Sequence, residues 1–126
     1  MAEPPVVWIV DADQWPRALL RAELIERGYE AIGFVRLGHA VAALAMNGPD
    51  YPPPRAIVID LGGQHATADS LRRLAASGAL LIATGGAVEM ADPALSAVRW
   101  AARLPRPVTL GAIGDAVAKY LPLPVR

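Results

Sequence analysis

The feature that most constrains this chain is an unbroken apolar run that stops on an acid, and it occurs twice. "VVWIVDAD" spans Val6 to Asp13, and "AIVIDLGG" spans Ala56 to Gly63. A strand with one wet face alternates apolar and polar residues, whereas a run without alternation needs cover on both faces, as in a parallel sheet. Parallel neighbours need crossover connections, and the intervening sequence supplies helices. "QWPRALLRAELIERG" has Leu19, Leu20, Leu24 and Ile25 at helical spacing, Pro16 near the first turn and Gly28 past the end. A second strand, "YEAIGFV", is followed by the alanine-rich helix "GHAVAALAMNG". After the third strand, "RAIVID", comes "TADSLRRLAASG", with Thr67 or Asp69 as cap and Gly78 as stop. The fourth strand is "ALLIATGG". The segment "DPALSAVRWAA" reads as a helix with Asp92 as cap and Pro93 in its first turn. "RLPRP" is a fifth extended piece, placed at a sheet edge because Pro105 cannot donate to a ladder. "VTLGAIGDAVAKYL" is the last helix, slightly weakened by two glycines.

This β-α alternation, five times over, predicts an α/β fold: a doubly wound five-stranded parallel sheet with helices on both faces. The 126 residues suit one domain, residues 1–126, with a core of about 6–121 and a tail at 122–126. Twelve basic residues balance twelve acidic ones, which argues against a nucleic-acid surface. With no cysteine, disulfides, zinc–thiolate sites and thiol catalysis are excluded. "MAEPPVVWIV" has no basic leader region, and no apolar run reaches the length of a membrane span. A cytoplasmic location with no membrane partner is the resulting expectation.

In folds of this kind, ligands bind beyond the carboxyl ends of the strands. Asp11 and Asp13 close the first strand, Asp60 the third, Thr84 the fourth and Arg106 the fifth, so all five converge on one rim. Each has a plainer alternative: a turn or cap residue for Asp11 and Asp13, a strand-end carboxylate paired with Arg106 for Asp60, a β-branched strand residue for Thr84, and a solvated arginine for Arg106. His39 and His65 are isolated in the sequence. Trp8 reads as core or sheet edge, Trp15 and Trp100 as packing residues, and "PPP" at Pro52 to Pro54 as a short rigid connection.

Taken in order, "VWIVDADQWPRALL", "ERGYEAIGFVRLGHAVAAL", "AIVIDLGG", "LLIATGG" and "LPRPVTLGAI" resemble the receiver (CheY-like) domain of two-component response regulators over nearly the whole chain. The resemblance implies the flavodoxin-like strand order 2-1-3-4-5. It makes Asp60 the phosphoacceptor, Thr84 the hydroxyl that contacts the phosphoryl group, and Arg106 the cation where the family has lysine. It implies Mg²⁺ held by Asp11, Asp13, Asp60 and the backbone of Gly62, in keeping with the ion's need for oxygen ligands. The implied chemistry is at most self-catalysed phosphoryl transfer to Asp60, with the carboxylate as nucleophile, rather than an enzyme activity. The implied partners are a histidine kinase or phosphotransfer protein, a downstream protein, and a second copy in a homodimer through the helix 4, strand 5 and helix 5 face. "LPLPVR" ends the sequence with no effector domain, which suits a single-domain regulator or an excised receiver.

Four departures support a second reading. Ala12 stands where the family has its second acid; Arg106 replaces the lysine; Arg103 replaces an aromatic; and the stretch from Asp60 to Thr84 is short, with "GGQHA" in place of the usual proline. Together they describe a degenerate receiver, a protein-interaction module independent of phosphorylation. A flavodoxin-like binder of a small phosphate ligand is a third possibility. It is disfavoured because the rim loops carry acids where a phosphate cradle needs backbone amides.

Overall fold

The computed structural model describes residues 3–46 and 48–124. Five strands alternate with five helices: β1 (Val6–Val10), α1 (Gln14–Arg27), β2 (Glu30–Phe34), α2 (Leu37–Leu44), β3 (Ala56–Asp60), α3 (Ala68–Ala75), β4 (Leu80–Gly85), α4 (Ala87–Met90), β5 (Ala102–Pro105) and α5 (Leu110–Tyr120). The strands form one sheet in the order β2-β1-β3-β4-β5, every pairing parallel, with β5 at an edge as Pro105 requires. The doubly wound order expected from the sequence is therefore the order of the molecule. The last two residues of the expected tail, 125 and 126, lie outside the described residues.

The period of two along each strand divides the core into two layers. Trp8, Val10, Ile57, Ile59, Leu81 and Ala83 face α2 and α3, where Leu37, Ala40, Leu71 and Leu74 are buried. Val7, Ile9, Val58 and Ile82 face α1 and α5, meeting Leu20, Leu24, Ile113 and Val117. The same alternation carries on past the apolar residues. Asp11 follows Ile9 by two, Asp60 follows Val58 by two, and Thr84 follows Ile82 by two, so the three polar residues belong to the α1/α5 side. Strand register sets Asp60 beside Thr84.

Two local features tie the ends of the core together. Tyr29 donates its hydroxyl to the Leu121 carbonyl at 2.6 Å, and the neighbouring Glu30 N–H donates to the Pro5 carbonyl at 3.0 Å. Arg27 crosses from α1 to α5. It pairs with Glu23 at 2.7 Å and Asp115 at 3.0 Å, and it donates to the Gly111 carbonyl at 3.2 Å. Gly114 of α5 makes room for it: a methyl group there would stand 2.6 Å from the guanidinium.

The structure corrects the expected helix at 92–102. Here α4 is a single turn at 87–90, followed by a 3-10 turn at Pro93–Ala97, and the chain leaves Val98 in an extended conformation. Asp92 does cap, accepting the Ala94 N–H. Carbonyls that an α-helix would use are taken by side chains: Ser96 Oγ donates to the Pro93 carbonyl at 2.8 Å, and Trp100 Nε1 to the Leu95 carbonyl at 2.9 Å. Leu95 fills the helical layer instead and is fully buried. Trp15 is also corrected, for it is no packing residue but 74% exposed. Trp8 is core and donates its Nε1–H to the Pro52 carbonyl at 3.2 Å, so the proline segment closes over it. Thr67 caps α3 in a reciprocal box with Ser70.

Candidate functional site

The carboxyl ends of β1, β3, β4 and β5 bring Asp11, Asp60, Thr84 and Arg106 around one cavity of about 240 Å³, and Asp13 joins them at its lip. Asp60 is the centre. It is 7% exposed, and every oxygen is engaged. Oδ1 accepts the Gly62 N–H at 3.0 Å, while Oδ2 accepts the Thr84 hydroxyl at 2.9 Å and a guanidinium hydrogen from Arg106. The Arg106 contact is an ion pair whose cationic side chain is still half exposed. The loop after Asp60 makes this geometry possible. A side chain on Gly62 would begin 3.0 Å from Asp60 Oδ1, and Gly63 has a φ of +71°, in the left-handed region that favours glycine.

Asp11 and Asp13 part company. Asp11 is 8% exposed and accepts the Asp13 N–H on Oδ1 at 2.9 Å. Burial raises its pKa above the ordinary carboxylate value, the neighbouring Asp60 and Asp13 charges add to the rise, and the Asp13 N–H and Arg106 oppose it. Asp13 stands at the N-cap of α1 with its side chain in solvent and makes no capping hydrogen bond. Neither acid belongs to an ion pair among the described residues.

These side chains do not fit a magnesium ion as they are arranged. Among the described residues, no three acidic or histidine side chains are grouped to hold a common ion. Position 12 offers only a methyl group, and an ion at Asp60 would have to displace Arg106. Of the proposed metal set, Asp11 and Asp60 share the cavity and Asp13 lines its lip, while the backbone of Gly62 faces Asp60 through its N–H.

Three residues at the site escaped the reading of the sequence. Gln64 bridges the loop after β3 to the loop after β2: its Oε1 accepts the Leu37 N–H and its Nε2 donates to the Val35 carbonyl, both at 2.9 Å. Arg36 adds a bond to the Gly63 carbonyl at 3.2 Å. An amide following two glycines, able to donate and accept at once, was the available signal. Glu89 leans back over the rim, where a methyl on Gly86 would stand 3.2 Å from its Oε2. Its place three residues after the N-cap of α4 was the visible clue. His65 and His39 are exposed, and neither side chain makes a hydrogen bond among the described residues.

No protein-family model matches the chain, and no curated protein matches it. Solved structures do. A response regulator receiver protein from Pseudomonas putida is 25% identical, with a TM-score of 0.73 over 94% of this chain and 99% of that one. The signal receiver domain of a modulated diguanylate cyclase from Desulfovibrio desulfuricans G20 is 24% identical, with a TM-score of 0.72 and 93% of both chains covered. A CheY-like receiver domain from Methylobacillus flagellatus is 18% identical, with a TM-score of 0.69 over 93% of this chain and 98% of that one. The fold is the flavodoxin-like one of the CheY-type receiver domains, complete in all five strands. At the coarse level this is the architecture of two-component signalling.

Proposed function

We propose that this chain is a signalling receiver domain that acts through protein–protein contact, with Asp60 held by Arg106 in place of a metal ion and a phosphoryl group. The observation that carries this reading is the arrangement at Asp60. A buried carboxylate with both oxygens engaged is a satisfied group, and the cation that satisfies it comes from the protein itself. A guanidinium is planar, permanently charged and able to hold a carboxylate in a fixed geometry, where lysine is a mobile point charge. The missing acid at Ala12 points the same way. The output would be a fixed conformation of the rim and the neighbouring face, recognised by a downstream protein. The α4, β5 and α5 face proposed for a partner or a homodimer differs from the expected one, since α4 is one turn. It presents Val88, 84% exposed, near the rim, and Arg103 on the β5 edge. No described helix is long and apolar enough to cross a membrane, and a cytoplasmic location is part of the proposal.

A second reading rests on the position of Asp60 at the end of β3 with the Thr84 hydroxyl 2.9 Å away. In that reading a histidine kinase or phosphotransfer protein supplies a phosphoryl group. An Asp60 oxygen attacks phosphorus, the bond to the donor breaks, and an acyl phosphate forms. Intact mass after incubation with acetyl phosphate and magnesium separates the two, with Asp60→Asn in parallel. The expected result is no mass gain in the folded wild type. A one-phosphoryl gain that disappears in Asp60→Asn would establish the phosphoacceptor reading instead.

A further inference from the structure

Helix α1 is apolar on two opposite sides. Leu20 and Leu24 are buried in the layer between the sheet and α5. Trp15, Ala18, Leu19, Ala22 and Ile25 recur at the spacing of three and four that keeps residues on one helix face, and all five are exposed. Helical geometry sets this stripe on the side away from Leu20 and Leu24. Trp15 is 74% exposed, Leu19 51% and Ile25 46%. Seven large apolar side chains stand exposed among the described residues; these three share one stripe, while Val35, Met46, Val88 and Tyr120 each lie on a different part of the chain. Single exposed apolar residues are ordinary, but a contiguous stripe marks an interaction surface. We propose that this face receives a second copy of the chain, with the two α1 helices side by side and parallel about a two-fold axis.

Charge selects the occupant and its direction. Counted in sevens from Trp15, the seam of the stripe is Trp15, Ala18, Ala22 and Ile25. Leu19 and Glu26 border it on one flank, and Arg21 borders it on the other. In a parallel pair, a residue on one flank meets the partner's residue five positions further on, on the opposite flank. Arg21 therefore meets the partner's Glu26, and two-fold symmetry makes the contact twice. An antiparallel pair sets like flanks together and loses both contacts. The two charges are available for this, since neither belongs to an ion pair among the described residues. Arg21 spends Nε on the Ala31 carbonyl at 2.9 Å, and its two Nη atoms bond nothing among the described residues.

Area sets the strength. Three side chains of this size and exposure present on the order of 400 Å² of apolar surface per copy. Two copies cover about twice that before the flanking residues are counted, which places the contact at the low end of specific interfaces. The dimer is therefore weak and reversible. Its direction has a functional consequence. Helix α1 starts at the rim, with Asp13 as its N-cap, so parallel pairing sets both acid rims at the same end, where one downstream protein can touch both.

The proposal rests on the α1 face alone and holds whether or not Asp60 accepts a phosphoryl group. It is tested by sedimentation equilibrium of the full chain from micromolar to millimolar concentration. A monomer–dimer equilibrium is expected, with a Kd of about 100 µM. Trp15→Ser, at an exposed position, is expected to raise the Kd at least tenfold. Arg21→Glu and Glu26→Arg are each expected to weaken self-association at least threefold, because like charges then face each other across the seam. An equimolar mixture of those two variants is expected to associate more tightly than either alone, since both contacts between them are again opposite in charge. A folding defect cannot produce that rescue. A chain that stays monomeric at millimolar concentration, or a dimer unmoved by Trp15→Ser, would overturn the interface. A mixture no tighter than its separate components would overturn the parallel pairing.

Discussion

Asp11 and Asp60 are two buried acids on adjacent strands with one guanidinium between them, and it goes to Asp60. Burial holds the Asp11 pKa above its ordinary value of 3.8, with the Asp60 and Asp13 charges adding to the rise. A carboxyl group whose folded pKa exceeds the unfolded one binds more protons in the folded state. Its ionisation therefore lowers stability as pH rises through that window, and the penalty is fully present above the folded pKa. Asp11→Asn keeps an oxygen for the Asp13 N–H and removes the charge. The variant is expected to melt at a higher temperature than wild type at pH 7, and the gap is expected to close on acidification below the ordinary value. Melting curves by circular dichroism at both ends of the range check this; an equal or lower melting temperature at pH 7 would contradict it. The identity of Asp11, Asp60, Thr84 and Arg106 as neighbours was legible in the sequence, because each stands where a parallel strand ends. So was the pairing of Asp60 with Arg106, which stood among the alternatives for those residues. The Gln64 clamp was not, because it depends on two loops that meet only after folding.

At the scale of the element, glycine and leucine positions decide how the helices sit. Gly114 lies under the Arg27 guanidinium, which reaches Glu23, Asp115 and the Gly111 carbonyl together. In an open helix Gly→Ala stabilises by about 1 kcal/mol. Here the added methyl displaces Arg27, so Gly114→Ala is expected to lose that gain and to destabilise the domain by about 1 kcal/mol; denaturant titration measures it. The sequence showed two glycines in a helix and their propensity cost, but not the side chain from α1 that requires one of them, Gly114. The same limit applies to the fourth helical layer. Asp92 and Pro93 are sound helix-start signals, and the cap they predict does form. What they could not reveal was that Ser96 and Trp100 would capture the carbonyls and end the helix early. Leu95 then bears the packing of that segment, and Leu95→Ala is expected to cost about 2–5 kcal/mol by leaving a cavity against Leu71 and Leu74. A loss below about 1 kcal/mol in the same titration would show that the 3-10 segment collapses into the gap.

For the whole molecule, strand order and layering followed from alternation of unbroken apolar runs with helices. That pattern is physical and local: each run must be covered on both faces, and each crossover must bring the chain back to the same end of the sheet to add a parallel strand. The rim at the carboxyl ends was legible for the same reason. The helix residues that wall its cavity, Leu20, Leu110 and Ile113, were not, since they meet only when α1 and α5 pack together.

The bonds from Tyr29 to Leu121 and from Glu30 to Pro5 have a further meaning. Residues 29 and 30 are consecutive, so the first strand is entered and the last helix left at nearly the same point, on the side of the sheet away from the acids. A peptide linker of a few residues can join those two points. The chain can then be opened elsewhere, as in the exposed turn at Ser77 and Gly78, and the circularly reordered protein is expected to fold to the same sheet with its acid cavity unaltered. By the same geometry the domain can be set into the loop of a host protein as a module, anchored at one end with its signalling rim facing outward.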